Sequence, residues 1–267
     1  MDIFSASILG LVQGLTEFLP VSSTGHLILA REFFGISTEN GLAVDAFLHL
    51  ATALAVVVYF RKDLLRLFKS VLIFPRAEKK DQTLIVALIA GTIPTVILGL
   101  LLQDQIDSMF RSTQLVAYAL IAGSVVFVAA EMLYRWYSKR MHREGINVRH
   151  GFTVGLFQAL ALVPGMSRSG MTISGGMLLG YTREEAARFA FLLSFPIILA
   201  GGGLKVKELV DTGAFSAEVL PLIVGAIVAF ISALAAIHFL ISFLKKNSLL
   251  WFAGYRVLLA IVVLVLL

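Results

Sequence analysis

The sequence of 267 residues contains no cysteine. Disulfides, thiolate zinc sites, iron–sulfur clusters and cysteine nucleophiles are therefore excluded, and the redox compartment is left unspecified. Charge is scarce as well: Asp, Glu, Lys and Arg make up 15% of the chain, against about 25% in an ordinary soluble domain. Apolar residues fill the difference. They reach 58%, more than one soluble core can hide when about 45–50% is usual. This composition rules out a soluble globule, a disordered chain and a collagen-like fibre, and predicts an all-α integral membrane protein.

Crossing about 30 Å of hydrocarbon takes roughly 20 helical residues. Six apolar segments meet that need, at about 43–60, 84–102, 114–133, 187–204, 219–244 and 248–267. Two more are interrupted: 6–34 by LPVSSTGH at Pro20, and 151–181 by PGMSRSG at Pro164-Gly165. Polar breaks survive at membrane depth only inside protein or beside a wet cavity. Both segments are therefore expected to be re-entrant helical hairpins. The first is not expected to be a cleaved signal peptide, because MDIFSAS has no basic residue and no A-x-A site follows.

The net charge of +5 is unevenly spread. Sixteen of the 22 Lys and Arg residues lie in 61–83, 134–150, 183–188 and 245–246, on one face of this layout. The other face holds four, Arg31, Arg111, Lys205 and Lys207, while Arg168 and Arg256 lie within apolar segments. Positive residues favour the cytoplasmic side. Both termini are then expected outside the cytoplasm. The charge run at 61–83 reads as a solvated loop that sets topology, not as a nucleic-acid patch.

Shifted by 145 residues, the two broken segments align: Gly10 with Gly155, Gln13 with Gln158, Ser22 with Ser167 and Gly25 with Gly170. One membrane domain, 1–267, then divides into a repeat at 1–140 and a second at 150–267, each a broken hairpin (6–34 or 151–181) followed by three spans. Three is odd, so the second repeat inserts upside down and the hairpin tips meet near the midplane, as in inverted-repeat transporters.

Polar side chains at that depth are costly and mark function. The first hairpin carries Gln13, Glu17, Ser22, Ser23, Thr24 and His26; the second carries Gln158, Ser167, Arg168, Ser169 and Thr172. Gln13 and Glu17, four apart, share a helix face. The set suits a phosphate: Arg168 clamps two oxygens, hydroxyls donate further bonds, and the Gly170 amide approaches closely because no Cβ intervenes. Glu17, helped by Gln13, suits a hard divalent cation. His26, three residues after Ser23, suits its general base or a general acid. His49, Glu131, His238 and Arg256 stand alone in their segments and read as packing or interhelical hydrogen-bond residues.

QGLTEFLPVSSTGH at 13–26 and PGMSRSGMT at 164–172 closely resemble the two signatures of the undecaprenyl-diphosphate phosphatase family linked to bacitracin resistance. The resemblance covers nearly the whole chain. It implies a bacterial plasma (inner) membrane enzyme that converts undecaprenyl diphosphate to undecaprenyl phosphate and inorganic phosphate, recycling the lipid carrier of peptidoglycan synthesis. By position it implies catalytic roles for Glu17, Ser23, His26 and Arg168, with Ser23 and His26 competing as nucleophile. It implies phosphate binding by Ser22, Thr24, Ser167, Arg168, Ser169, Gly170 and Thr172, and a Mg²⁺ or Ca²⁺ ion held by Glu17 and Gln13. The expected partners are a polyprenyl diphosphate and membrane lipid, with a homodimer admissible and no nucleic acid. The orientation above opens the site to the outer face. The competing expectation is a transporter or flippase of a phosphorylated lipid or anion, which the broken helices suit equally well.

Overall fold

A computed structural model describes residues 1–36, 41–102, 105–106, 112–137, 143, 145–211 and 219–266. Eleven α-helices can be delimited among the described residues, with a 3₁₀ turn at Phe74–Arg76 and no strand. In chain order they are α1 (Ile3–Phe18), α2 (Ser23–Phe34), α3 (Gly41–Tyr59), α4 (Arg61–Leu72), α5 (Lys79–Leu101), α6 (Thr113–Tyr137), α7 (Val148–Leu160), α8 (Arg168–Leu178), α9 (Arg183–Asp211), α10 (Val219–Leu244) and α11 (Leu250–Leu266).

Each of the six expected spans coincides with a helix, but the structure supports four to five. Helices α5, α6, α9 and α10 are long and apolar enough to cross a membrane. Helix α3 qualifies only together with α4, from which it is bent by 83°. Helix α11 is apolar but short, at 17 residues. The segment after α3 also departs from expectation: 61–72 is a helix, not a loop. Its charges Arg61, Lys62, Arg66 and Lys69 alternate with Leu64, Leu65, Leu67, Phe68, Val71 and Leu72 at helical spacing. Leu65, Phe68 and Leu72 are exposed, as in a helix that lies in the membrane interface.

The two breaks share one local design. Pro20 forces the preceding residue out of the helical region, and Leu19 has ψ 140°. Ser22 then takes φ +73° and accepts a hydrogen bond from the Gly25 amide, starting α2. In the second break Gly165 takes φ +101°. Ser167 takes φ +73° and accepts from the Gly170 amide, starting α8. A serine at positive φ is uncommon; the cap it makes holds it there.

Helix α1 packs chiefly on α10, and α7 on α5. Small residues allow both approaches. A Cβ on Gly10 would lie 2.2 Å from the Gly225 carbonyl oxygen, and one on Gly155 2.2 Å from that of Gly91. Helix α6 packs on α11 and α3 on α9. The largest apolar cluster includes Phe18, Phe60, Phe127, Phe191, Ile237 and Leu240.

Candidate active site

Glu17 occupies the last turn of α1 with its side chain buried. Oε1 accepts from Arg168 Nη2 at 2.6 Å. Oε2 accepts from Ser23 Oγ at 2.7 Å and from Gln13 Nε2 at 3.0 Å. Ser23 and Arg168 are the first residues of α2 and α8. Each helix start presents unsatisfied amides and a positive dipole end beside the cluster, which favours an anion there. Groups 151 positions apart in sequence thus meet at one carboxylate.

The meeting point borders a cavity of about 230 Å³. Glu17, Ser23, Thr24, His49, Thr95, Gln158 and Arg168 are among its polar lining, and Leu162 and Ile197 among its apolar lining. Ser22 and Ser167 also reach it. Arg168 is bound to Glu17 through Nη2 and is itself partly exposed, so its guanidinium fork has donors left for a ligand.

Not every expected residue reaches the cavity. Ser169 Oγ donates to the Leu19 carbonyl at 3.2 Å, and Thr172 Oγ1 to the Arg168 carbonyl at 2.8 Å. Both hydroxyls serve the backbone, as hydroxyls in apolar helices commonly do. Ser169 thereby ties the second break to the first. Gly170 gives its amide to Ser167 Oγ, and a Cβ there would sit 1.9 Å from the Phe127 ring. It is a packing glycine, not a phosphate cradle. His26 also lies off the cavity wall: Nδ1 donates to the Ser22 carbonyl at 2.8 Å, and Nε2 meets the Tyr255 hydroxyl at 2.7 Å. The carboxylate of Glu17, not His26, stands on the Ser23 hydroxyl.

His49, read from sequence as a packing residue, belongs to the cluster. Its Nδ1 lies 3.1 Å from Glu17 Oε2 and 2.7 Å from Gln13 Nε2. The signal was present, since an imidazole inside an apolar span is costly; its partner was not readable. Gln158, aligned with Gln13, has a different task and donates to Thr95 Oγ1 at 3.2 Å. Arg256 is fully buried and donates to the carbonyls of Gly165 at 2.9 Å, Met166 at 3.0 Å and Leu120 at 3.1 Å. It pins the second break. Glu131, also buried, joins Arg183, Arg135 and the Leu249 amide.

No group of three or more His, Cys, Asp or Glu side chains gathers among the described residues. The donors fit a divalent cation in the manner usual for Mg²⁺, with one or two carboxylates and the rest of the shell from phosphate oxygens and water. Glu17 is the carboxylate, and the buried Gln13 Oε1 has no hydrogen-bond partner. A larger cavity of about 600 Å³ lies elsewhere, beside α4, α5 and α9. Charges on its wall pair with one another, Arg188 with Asp63 at 2.9 Å and Arg66 with Asp81 at 3.5 Å.

Fold and site together define a multi-pass α-helical membrane protein with a buried carboxylate paired to a partly exposed guanidinium at an anion-suited cavity between two broken helices. The chain belongs to the BacA family: residues 6–262 match the family described as bacitracin resistance protein BacA. It is 44% identical over 265 residues to a protein of Mycobacterium ulcerans, covering 97% of this chain and 94% of the relative. A protein of Rubrobacter xylanophilus is 42% identical over 268 residues, with 98% and 97% covered. One from Mycolicibacterium smegmatis is 45% identical over 267 residues, with 97% and 95% covered. All three relatives are named undecaprenyl-diphosphatase.

Proposed function

We propose that the protein hydrolyses undecaprenyl diphosphate to undecaprenyl phosphate and inorganic phosphate at the Glu17–Ser23–Arg168 cluster. The reading rests on family membership together with one observation: a hydroxyl and a guanidinium, carried by two separate helix breaks, on one carboxylate. The prenyl tail stays in the bilayer while the diphosphate enters the polar cavity. Arg168 and the amides at the starts of α2 and α8 hold the terminal phosphate, and they stabilise the charge that spreads over its oxygens as the bond breaks.

Ser23 is the nucleophile in this reading. As its Oγ bonds to the terminal phosphorus, Glu17 takes the hydroxyl proton and the anhydride bond breaks, releasing the prenyl monophosphate. Water then attacks the phosphoserine. Glu17 returns its proton to Ser23 Oγ, and the water proton leaves with the phosphate. Glu17, with Gln13 beside it, would hold a Mg²⁺ or Ca²⁺ ion, which neutralises phosphate charge when bound. Ser22, Thr24 and Ser167 line the pocket; Ser169, Gly170 and Thr172 serve the backbone and packing of the second break. A transporter would have no use for a hydroxyl standing on a carboxylate, and the relatives are named for hydrolysis.

The same proposal places the protein in the bacterial plasma membrane with six spans, two re-entrant hairpins, both termini outside the cytoplasm and the site open to the outer face. The 16-to-4 charge count supports the orientation. Matching serine caps and crossed α1–α10 and α7–α5 packing support two inverted repeats, 1–140 and 150–267. Recycling of the carrier would confer bacitracin resistance. Phosphate release from undecaprenyl diphosphate by the purified protein in detergent, with and without chelator, tests the reading: release is expected, with loss under chelation. No release from folded protein at any divalent cation concentration rejects it.

A further inference from the structure

Three side-chain atoms lie in mutual contact at the α1–α3 junction. Gln13 Nε2 is 3.0 Å from Glu17 Oε2 and 2.7 Å from His49 Nδ1, and His49 Nδ1 is 3.1 Å from Glu17 Oε2. Hydrogen bonds alone do not satisfy this triangle. The amide nitrogen only donates and the carboxylate oxygen only accepts, whereas Nδ1 does one or the other according to tautomer. If Nδ1 accepts from Gln13, it sets a lone pair against the carboxylate. If it donates to Glu17, it sets an N–H against the amide N–H. Turning the Gln13 amide over, a choice that heavy-atom positions do not fix, opposes two acceptors at 3.0 Å instead. Every arrangement has one repulsive edge.

A cation removes the conflict. With the amide turned, Gln13 Oε1, Glu17 Oε2 and His49 Nδ1 become three electron-pair donors 2.7–3.1 Å apart. Neighbouring donors around an octahedral ion with metal–ligand bonds of about 2.1 Å are separated by about 3 Å, as these three are. We infer that His49 is the third protein ligand of a divalent-cation site formed with Gln13 and Glu17. One carboxylate, one amide oxygen and one imidazole make a mixed set, softer than the all-oxygen shells of Ca²⁺ and Mg²⁺. The site therefore takes Mn²⁺ more tightly than Mg²⁺. Glu17, with Oε1 on Arg168, links this ion to the phosphate site. The inference rests on the proposed function for what the ion serves, not for where it binds.

The test uses the full-length protein in detergent, loaded with Mn²⁺ and no substrate. Electron spin-echo envelope modulation reads nitrogen directly bound to the ion. The wild-type protein should bind Mn²⁺ at least about tenfold more tightly than Mg²⁺ in competition and show ¹⁴N modulation. His49→Gln should lose the modulation and bind Mn²⁺ at least about tenfold more weakly, the scale of a lost ligand-shell contact. Gln13→Glu, which adds a second carboxylate, should bind more tightly and keep the modulation. Bound Mn²⁺ without nitrogen modulation in the wild-type protein, modulation that persists in His49→Gln, or no Mn²⁺ binding each overturns the inference. Phosphate release is measured on the same preparation. Release without nitrogen modulation overturns the ligand assignment and leaves the proposed function standing; modulation without release does the reverse.

Discussion

Glu17 decides the chemistry of the cluster because both its oxygens are engaged. Arg168 holds Oε1, while Ser23 holds Oε2. A buried ion pair is costly to form, and removing one partner strands the other, typically at about 3–5 kcal/mol. Arg168→Ala should therefore lower both stability and rate, with phosphate release falling at least about 10²–10³-fold, the cost of removing one transition-state donor. Steady-state kinetics beside a thermal unfolding curve separates the two effects. Ser23→Ala should abolish a trapped phosphoenzyme, and His26→Ala should retain it at any rate of turnover. Acid-quenched labelling with radiolabelled substrate reads this directly, and a phosphoenzyme in Ser23→Ala contradicts the assignment of Ser23. Among these residues Gln13, Glu17, Ser23 and Arg168 were legible in the sequence, because each is a polar side chain inside an apolar segment. What pairing each makes was not. His26 has the right spacing for Ser23 yet turns to Tyr255, and His49 has no local motif yet touches Glu17.

At the level of helices, the two breaks share a serine cap and differ in what else holds them. Prolines and glycines announced where the helices stop, as the extended Leu19 and positive-φ Gly165 bear out. The pin did not announce itself: Arg256 lies 90 positions from Met166, and apart from the Ser124 hydroxyl its hydrogen-bond partners are backbone carbonyls, which leave no mark in a sequence. Two of these carbonyls, those of Gly165 and Met166, are left free where the chain leaves helical geometry. Arg256→Met should strand both at about 1–3 kcal/mol each, lowering the melting temperature in detergent. Arg256→Lys should recover only part of the loss, because an ammonium lacks the planar fork. Full recovery by lysine would contradict the pin. The close helix crossings make a matching prediction. Gly10→Val places atoms against the Gly225 carbonyl, and should destabilise by about 1–3 kcal/mol, the usual cost of overpacking. Helix α4 shows the opposite limit of legibility, since its many charges masked an amphipathic period.

For the molecule as a whole, composition alone announced a helical membrane protein, and the apolar segments fell on helices. Span count was less legible. Helix α3 ends at Tyr59 with α4 bent away by 83°, and the 17-residue α11 is at the short limit of a crossing. The natural absence of cysteine makes the proposed orientation directly testable. A single cysteine at Asp2 should react with a membrane-impermeant maleimide on intact cells, and one at Lys69 only after permeabilisation. The reverse pattern would invert the topology and move the site to the cytoplasmic face.

The account stands on one contact, the Glu17–Arg168 pair that joins the two breaks. Its most direct test is a double-mutant cycle on phosphate release, using Glu17→Gln, Arg168→Ala and the two combined, in protein shown to remain folded. Residues that act as a unit are grossly non-additive. Each single variant should fall at least about 10²-fold, and the double variant should be little worse than either. Single variants near the wild-type rate, or losses that simply multiply in the double variant, would contradict it.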